Sequence, residues 1–464
     1  MKLKDWFNTG YGIKRWFILG LVGGALLIFT AMEMITRRFE EPSYNLYYGY
    51  LLLLSASIIY LTTAELIKSF MSLAKDGLID FNMDSREIGN LMHDQKLLVQ
   101  GPRLVIIGGG TGLSTVLKGL KTYTNNLTAV VTVADDGGGS GALRQDLGML
   151  PPGDIRNCLV ALANTEPLME ELMQFRFKDG SLKGQSFGNL FLAAMDGVSD
   201  NFEDAVAKMA SVLAITGKVL PVTLDNITIN ALLDNDQLVV GESHIPDVSI
   251  LEGAKIKKLY ITPKDAQCLP DVREEILNAD AIILGPGSLY TSIIPNLLVN
   301  GVAEAIKKSN AKKIYISNVM TQPGETDGFK VSDHLKSIFE HGDIGPLDYV
   351  MANDMPIKNK DLQKKYHDVG QFEVEIDEEA IEETCDVQIV RGDFIKPREK
   401  SVRHDAEKLS QKLMEIVLKD TLFNDQKRIL EYVSLSRKLK QKNLREKLEQ
   451  KREKEEQEKL KTIN

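Results

Sequence analysis

Two glycine-rich segments carry the residues best suited to holding a phosphorylated ligand. Residues 108–112 (GGGTG) directly follow the apolar run 104–107, and residues 285–292 (GPGSLYTS) directly follow a second apolar run, 281–284. Glycine lets the backbone approach a ligand closely, and a helix that begins after such a turn presents free N–H groups to an anion. Each segment therefore predicts a phosphate site between a buried strand and a helix. For residues 108–112, a tight turn without a ligand is the alternative.

A pair of acids and a third glycine-rich loop follow the next apolar run, residues 127–134. Asp135 and Asp136 open the loop DDGGGSG, which is followed closely by Arg144. An acid at the end of the second strand of a dinucleotide-binding fold can hold a ribose hydroxyl. Two carboxylates can also hold Mg²⁺ while phosphate completes its shell, and solvated turn residues are the third interpretation. The guanidinium of Arg144 either forks a phosphate or pairs with Asp146.

Four more side chains are candidates for the same site or for a structural role. Asp154, in PPGD, is expected to cap a helix. Asn189 stands at the start of an apolar helix, where it either caps the helix or contacts a base or sugar edge. Tyr290 either stacks on a base or is a buried structural residue. Asn318, which ends the strand-like run KKIYISN, is expected on the rim of the site.

The elements around these residues predict how they come together. Strand, glycine turn, helix and strand over residues 104–134 are typical of the start of a doubly wound α/β fold. Residues 218–262 contain short alternating runs, which indicate an antiparallel insertion or an edge hairpin on the sheet. From residue 270 the strand–helix alternation returns, with a helix expected over residues 293–308. Ligands of open parallel sheets bind beyond the carboxyl ends of the strands. The two glycine turns are therefore expected to face one crevice.

Composition limits the classes of function. A chain of 464 residues with 43% apolar and 26% charged residues is expected to fold, and a net charge of −9 argues against general nucleic-acid binding. Three distant cysteines (Cys158, Cys268 and Cys385) follow no metal-ligand spacing and indicate a reducing compartment. The six histidines are scattered, and no nucleophile–base motif is evident. No catalytic or metal-ligating set is predicted.

The first 80 residues are predicted to form a transmembrane helical hairpin. Two apolar runs, residues 16–35 and 44–67, each have about the 20 residues that span a bilayer as a helix. A cleaved signal peptide is disfavoured because a second apolar run follows the first directly. Four basic residues precede the first run, two lie in the loop and two follow the second run. This distribution predicts a cell-membrane protein with both termini and the main domain in the cytoplasm.

The chain is expected to continue as a helical linker over residues 81–100, a folded domain over 101–420 and a charged helical tail over 421–464. From residue 425 onward there are 13 Lys and Arg residues against 8 Asp and Glu residues. A solvated single helix is one interpretation of the tail. A basic arm lying on anionic lipid is the other.

Five motifs, in order along residues 101–420, resemble the YvcK or gluconeogenesis-factor family, which is related to the CofD 2-phospho-lactate transferases. They are IIGGGTGLSTVLKGLK, TVADDGGGSGALR, LGMLPPGDIRNCLVALA, SFGNL and ILGPGSLYTSIIPNLLV. The resemblance implies a CofD-like fold, that is, an open, mostly parallel Rossmann-like α/β sheet with an antiparallel insertion. The membrane hairpin before it and the charged helix after it lie outside the resemblance.

The resemblance also implies a function. Family members bind UDP-sugars such as UDP-N-acetylglucosamine and serve cell shape and envelope growth on gluconeogenic carbon sources, without an established catalytic activity. No cofactor is required, Mg²⁺ is compatible with the site, and envelope-synthesis proteins or a second copy of the chain are the expected partners. The alternative is a CofD-like transferase that moves a phospho-lactyl group from a nucleotide-activated donor with Mg²⁺.

The ligand-binding residues expected from the resemblance and from the positions described above form one set. Arg403, in SVRHDAEKL, joins it through the family's C-terminal R-H-D segment, although by sequence alone it is equally a residue at the entry to a helix. The set is Gly109, Gly110, Thr111, Gly112, Asp135, Asp136, Ser140, Arg144, Asn189, Gly285, Pro286, Gly287, Ser288, Tyr290 and Arg403.

Overall fold

The computed structural model describes five stretches of the chain: residues 13–36, 42–75, 101–164, 167–397 and 401–421. The chain divides into two compact units, residues 1–99 and residues 100–464. The predicted helical linker and, beyond residue 421, the predicted charged tail lie outside the described residues.

Two long helices form the first unit, α1 (Ile13–Thr36) and α2 (Pro42–Lys75). They pack closely, since a Cβ on Gly23 would lie 2.9 Å from the Cγ2 atom of Ile58. Among the described helices, one stretch, Tyr47–Glu65 of α2, is long and apolar enough to cross a membrane. The apolar part of α1, Leu19–Ile35, is shorter. A helical hairpin is therefore present, and its crossing of a membrane as two spans stays a prediction.

The second unit contains twelve strands within its described residues: β1 (Leu104–Gly108), β2 (Leu127–Val131), β3 (Lys218–Pro221), β4 (Thr228–Leu233), β5 (Leu238–Val240), β6 (Ile256–Thr262), β7 (Ala281–Leu284), β8 (Lys312–Ile316), β9 (Tyr349–Asn353), β10 (Gln388–Gly392), β11 (Ile395–Pro397) and β12 (Val402–His404). Seven of them form a parallel sheet in the order β10–β9–β8–β7–β1–β2–β3. A separate antiparallel sheet has the order β5–β4–β6, and β11 pairs with β12. The predicted mostly parallel sheet with an antiparallel insertion is confirmed.

The helices of this unit are α3 (Gly110–Leu120), α4 (Gly138–Leu147), α5 (Gly153–Leu162), α6 (Pro167–Gln174), α7 (Phe187–Gly197), α8 (Phe202–Val212), α9 (Ile245–Glu252), α10 (Pro270–Leu277), α11 (Ile294–Leu298), α12 (Val302–Lys308), α13 (Val331–His341), α14 (Lys360–His367), α15 (Glu378–Thr384) and α16 (Ala406–Thr421). A 3₁₀ turn spans Glu242–His244, and a π-helical turn spans Leu289–Ile293.

Strand order places a topological switch beside β1. The chain runs outward from β1 to β3 and returns at β7, which lies on the other side of β1. All residues of β1 and β7 are buried, as expected for strands of a parallel sheet whose two faces are both covered. Open α/β sheets bind ligands at such a switch, beyond the carboxyl ends of the strands. The two predicted glycine turns follow β1 and β7 and therefore flank this switch.

Two element predictions were wrong in detail. Residues 218–221 were expected in an antiparallel insertion or edge hairpin but form β3, a parallel edge strand beside β2 in the main sheet. A single helix was expected over residues 293–308. Instead a π-helical turn leads into α11, which ends where Val299 is extended, and α12 begins only after Gly301, whose φ is 94°.

Candidate functional site

The two glycine turns lie in direct contact. The N–H of Gly285 donates to the carbonyl oxygen of Ile107 at 2.9 Å. A Cβ on Gly112 would overlap the carbonyl group of Pro286, and one on Gly287 would lie 3.3 Å from the carbonyl oxygen of Gly109. Glycine is therefore required at residue 112 because the other turn fills the space of a side chain. The expected convergence on one crevice matches this geometry.

A crevice of about 360 Å³ opens beside the two turns. Thr111, Gly112, Pro286 and Gly287 line one side of it. The other side carries mainly neutral hydrogen-bonding groups, from Asn318, Thr321, Gln322, Tyr366, Gln371 and Ser401. Such a wall suits a polar, uncharged part of a ligand, while the turns offer N–H groups to an anion.

Arg403 supplies the positive charge of the crevice. It lies on β12, and its Nη1 atom donates to the Oγ1 atom of Thr111 at 2.6 Å. The start of α16 is capped by another residue, Asp405, whose Oδ1 atom accepts from the N–H groups of Glu407 and Lys408. The structure thus brings Arg403 to the first glycine turn, where its exposed guanidinium can also reach a bound phosphate.

Asp154 lies directly under the first turn. Its Oδ2 atom accepts from the N–H of Gly110 at 2.6 Å, and a Cβ on Gly109 would lie equally close to it. Burial raises the pKa of Asp154 to about 6, while the hydrogen bond from Gly110 acts in the opposite direction. The expected capping of its own helix was wrong, since α5 has no side-chain cap and Asp154 instead caps α3. The N–H groups of Thr111 and Gly112, in the first turn of α3, have no partner within the helix, and such groups favour an anion.

Asp135 and Asp136 are both engaged by backbone N–H groups. Asp135 accepts from Gly137 at 2.9 Å, and Asp136 accepts from Ser243 at 2.8 Å. Glu242, which the sequence did not single out, lies among them. Its pKa is raised well above the ordinary value by burial and by the neighbouring carboxylates of Asp135, Asp154 and Asp136. The acids after β2 thus cluster with Glu242 from the insertion, and none of the three is among the residues that line the crevice.

The described residues contain no group of three or more His, Cys, Asp or Glu side chains placed to hold a metal ion. Asp135 and Asp136 therefore fit Mg²⁺ only in the way first expected, as one or two oxygen ligands with phosphates of a bound nucleotide completing the shell.

The side chains of Arg144 and Ser140 contact the backbone near these acids. The guanidinium of Arg144 donates to the carbonyl oxygens of Ala134, at 3.2 Å, and Ile227, at 2.7 Å. Of the two roles expected for Arg144, the pairing with Asp146 is not formed; the side chain instead joins the end of β2 to the start of β4. Burial lowers the pKa of Arg144. Ser140 is buried in α4 and packs closely against Gly153.

Asn189 does not cap a helix. Ser186 is the cap of α7, and its side chain accepts from the N–H of Asn189. The Oδ1 atom of Asn189 accepts from Nε of Arg156 at 3.2 Å, and the residue is buried. Its contact is therefore with a buried arginine inside the domain.

Tyr290 is a core residue. It is 3% exposed, its hydroxyl bonds Oγ of Ser337 at 3.1 Å, and its ring meets Phe329 and His341 edge-on. Of the two roles expected for Tyr290, it thus has that of a buried structural residue. The aromatic side chain that lines the crevice is Tyr366, whose hydroxyl accepts from the N–H of Val402 at 2.9 Å.

Sequence reasoning missed Tyr366 because α14 is an ordinary charged helix in sequence, KDLQKKYH. No motif marks this tyrosine. The topology alone carries residue 366 to the crevice.

Ser288 is occupied within the protein. Its Oγ atom accepts from the N–H of Thr291 at 3.2 Å, capping the π-helical turn, and donates to the Oε2 atom of Glu325. Burial raises the pKa of Glu325 to about 7. The hydroxyl therefore shapes the second turn rather than pointing freely at a ligand.

These features define a class: a doubly wound α/β protein with a crevice beside two glycine turns, between the first strand and the strand that returns beside it. Residues 104–395 match the family model described as 2-phospho-L-lactate transferase CofD. The chain belongs to the CofD family, within the group of proteins named gluconeogenesis factor.

Three similar proteins differ in how much of the chain they cover. A Clostridium acetobutylicum relative is 52% identical over 448 residues, covering 96% of this chain and 99% of the relative. The Bacillus subtilis gluconeogenesis factor is 43% identical and covers 68% of this chain and 99% of that protein. A crystal structure of a UPF0052 family member from Bacillus halodurans has a TM-score of 0.64 and 45% identity, and covers 68% of this chain and 99% of that chain.

The N-terminal segment of the chain aligns with a relative in the family. An alignment over 96% of this chain leaves too few residues outside it to omit both α1 and α2. The expectation that the hairpin lies outside the resemblance was therefore wrong for the clostridial relative. The Bacillus proteins match about two thirds of the chain over nearly their full length.

Proposed function

We propose that this protein binds a UDP-sugar, with UDP-N-acetylglucosamine as the first candidate, and acts as a regulatory protein at the inner membrane face. In this role it serves envelope growth and cell shape under gluconeogenic conditions. The observation that carries the proposal is the meeting of two glycine turns and Arg403 at the topological switch of the sheet. The name gluconeogenesis factor, given to its relatives, supports the metabolic setting.

The two parts of the proposed ligand contact opposite sides of the crevice. Its diphosphate lies against the N–H groups of Thr111 and Gly112 and the guanidinium of Arg403, because these are the donors that favour anions. Its base lies against Tyr366 and the amide groups of the opposite wall. A volume of about 360 Å³ lies within the usual range for small-ligand sites.

We propose that the N-terminal hairpin holds the domain at the membrane. Support comes from the apolar stretch Tyr47–Glu65, from the shorter apolar stretch Leu19–Ile35, and from the six basic residues at the two ends of the hairpin against two in its loop. Envelope-synthesis proteins are the expected partners.

A ligand panel tests the binding proposal. The domain from about residue 85 onward suits the measurement, because a Bacillus halodurans homologue that matches 68% of this chain was crystallised. Thermal unfolding is followed with UDP-sugars, GDP and NAD. A ligand at about 100 times its Kd adds about 2.7 kcal/mol to the free energy of unfolding. Stabilisation by a UDP-sugar without its consumption supports the proposal, and no stabilisation by any UDP-sugar contradicts it.

Arg403→Gln sharpens this test. The variant loses the charge that faces the phosphates and is expected to bind a UDP-sugar about tenfold more weakly or worse. Arg391→Gln is the matched control, since Arg391 is also exposed on a strand but pairs with Glu378 outside the crevice. Equal affinities of the two variants would remove Arg403 from the site.

A second candidate function is a CofD-like transfer of a phospho-lactyl group from a guanylylated donor. The matching family model, which describes a transferase, and the cluster of acids beside the turns favour it. Mg²⁺ held by Asp135 or Asp136 would neutralise phosphate charge there. Release of GMP from a guanylylated donor supports this function against the regulatory one.

A further inference from the structure

Asn296 lies beneath both glycine turns. It sits in α11, directly after the π-helical turn, and is completely buried. Its Nδ2 atom donates to the carbonyl oxygen of Ser292 at 2.7 Å and to that of Gly108 at 3.2 Å. One amide group therefore joins the second glycine segment to the first, across 188 positions of sequence.

The carbonyl of Gly108 is held by two donors at once. Besides Asn296, the N–H of Thr132 at the end of β2 donates to it at 3.0 Å. The C=O and N–H groups of one trans peptide point in opposite directions. Holding the Gly108 carbonyl toward the buried amide therefore turns the N–H of Gly109 away from it. The orientation of the first turn thus depends on a side chain that follows the second turn.

Only the donor end of this amide is used. Among the described residues, the Oδ1 atom of Asn296 is buried and has no hydrogen-bond partner. A buried, unpaired amide oxygen is unfavourable, and an apolar residue of similar volume would avoid that penalty. What asparagine offers here is a pair of donated hydrogen bonds to two phosphate-binding segments.

We infer that Asn296 is a positioning residue that holds the two glycine turns in register and thereby sets the affinity for the diphosphate part of the ligand. The inference rests on the proposed function, because it assumes that the turns bind a diphosphate. Asn296 makes no contact with the ligand; it acts through the backbone of Gly108 and Ser292.

The test uses the full-length protein in detergent, with UDP and uridine as probes. Asn296→Leu removes both donors at similar volume. The ratio of UDP affinity to uridine affinity is expected to fall about tenfold or more, because only UDP carries the diphosphate. Asn296→Ala leaves room for a water that can donate to the same carbonyls, and its ratio is expected to lie between those of wild type and the leucine variant.

Asn230→Leu is the matched control. Asn230 is also buried, and its amide donates to the carbonyl oxygen of Thr228 at 3.3 Å and the hydroxyl of Thr262 at 2.9 Å, within the small antiparallel sheet. This variant is expected to keep the wild-type ratio even if its melting temperature falls. A drop confined to the Asn296 variants supports the inference.

Three outcomes overturn it in distinguishable ways. If wild-type protein binds neither UDP nor uridine, the proposed function fails and the inference falls with it. If wild type binds UDP and both Asn296 variants keep the ratio, Asn296 is structural alone. If Asn296→Leu does not fold, the alanine variant decides, and an unchanged ratio there contradicts the positioning role.

Discussion

The carboxylate of Asp154 lies at the N-terminus of α3, which is the positive end of the helix dipole. The hydrogen bond from Gly110 satisfies one oxygen, yet burial raises the pKa to about 6, so the ionised form is unfavourable in the folded protein. A carboxyl whose pKa rises on folding binds its proton more tightly in the folded state. The loss of stability caused by burying this carboxylate is therefore fully present above about pH 6, and it disappears below the ordinary pKa of 3.8.

Asp154→Asn is expected to raise the free energy of unfolding by about 1–3 kcal/mol at pH 8, because the amide oxygen still accepts from Gly110 while no charge is buried. The gain shrinks as the pH falls from about 6 toward 3.8. Urea unfolding at pH 8 and pH 4 checks this. A gain that is equal at both pH values would contradict the assigned cause.

Substitution of Tyr290 is expected to lower stability, because the residue lies in the core and not at the ligand site that its motif indicates. Tyr290→Ala is expected to lose about 3–5 kcal/mol of stability by leaving a cavity in the core. Tyr290→Phe removes only the bond to Ser337 and is expected to lose about 1 kcal/mol. Calorimetric unfolding measures both. If the phenylalanine variant lost UDP-sugar binding while staying folded, Tyr290 would belong to the site after all.

Side-chain roles were the least predictable part of the site. The glycine turns could be predicted because strand, glycine and helix form a local pattern that fixes what the backbone can do. The sequence could not show whether Tyr290 or Tyr366 lines the crevice, because this depends on which side of a helix faces the crevice after folding. Asp154 shows the same limit: its partner Gly110 lies 44 positions away, so no local signal shows the contact.

At the level of elements, α16 packs along α3, the helix that begins at the first turn. Gly119 makes this possible, since a Cβ there would overlap the hydroxyl of Ser410 and the carbonyl oxygen of Ala406. The carbonyl is backbone and cannot rotate away. The close contact of the two helices thus depends on a missing side chain.

Gly119→Ala is therefore expected to destabilise the domain by about 1–3 kcal/mol, although alanine is the better helix former. Gly197→Ala, at the end of α7, is the control: nothing lies within 4 Å of its Cβ position, and a gain of about 0.5–1 kcal/mol is expected there. Thermal unfolding compares the two. Stabilisation by both substitutions would show that α16 moves away from α3 without penalty.

Element type was largely predictable, and pairing was less so. The apolar runs of β1 and β7 and the helical spacing of Leu113, Val116, Leu117 and Leu120 in α3 were enough to assign these elements. The sheet to which β3 belongs could not be predicted, because its alternating pattern fits an edge strand of either sheet. Only its pairing with β2 decides between them.

The whole chain joins two units of different character. The first unit exposes large apolar side chains, among them Phe29, Met32 and Leu53, whereas the second buries its apolar residues around the parallel sheet. Water-exposed apolar surface of this extent on a helix pair is unfavourable, and lipid removes that penalty.

Full-length protein is expected in the membrane fraction after alkaline carbonate washing, because helices that span a bilayer resist it. A variant without residues 1–80 is expected in the supernatant. The distribution is measured by immunoblotting of the fractions. Full-length protein in the supernatant would contradict the membrane anchor and would not bear on the ligand proposed for the crevice.

The bond between Arg403 and Thr111 joins residues 292 positions apart. During synthesis, the first glycine turn leaves the ribosome long before the strand that carries this arginine. A nascent chain therefore cannot assemble the complete binding surface until almost the entire domain has been translated. Truncated translation products that end before residue 403 lack this guanidinium, so even in those that fold the crevice would be without its positive charge.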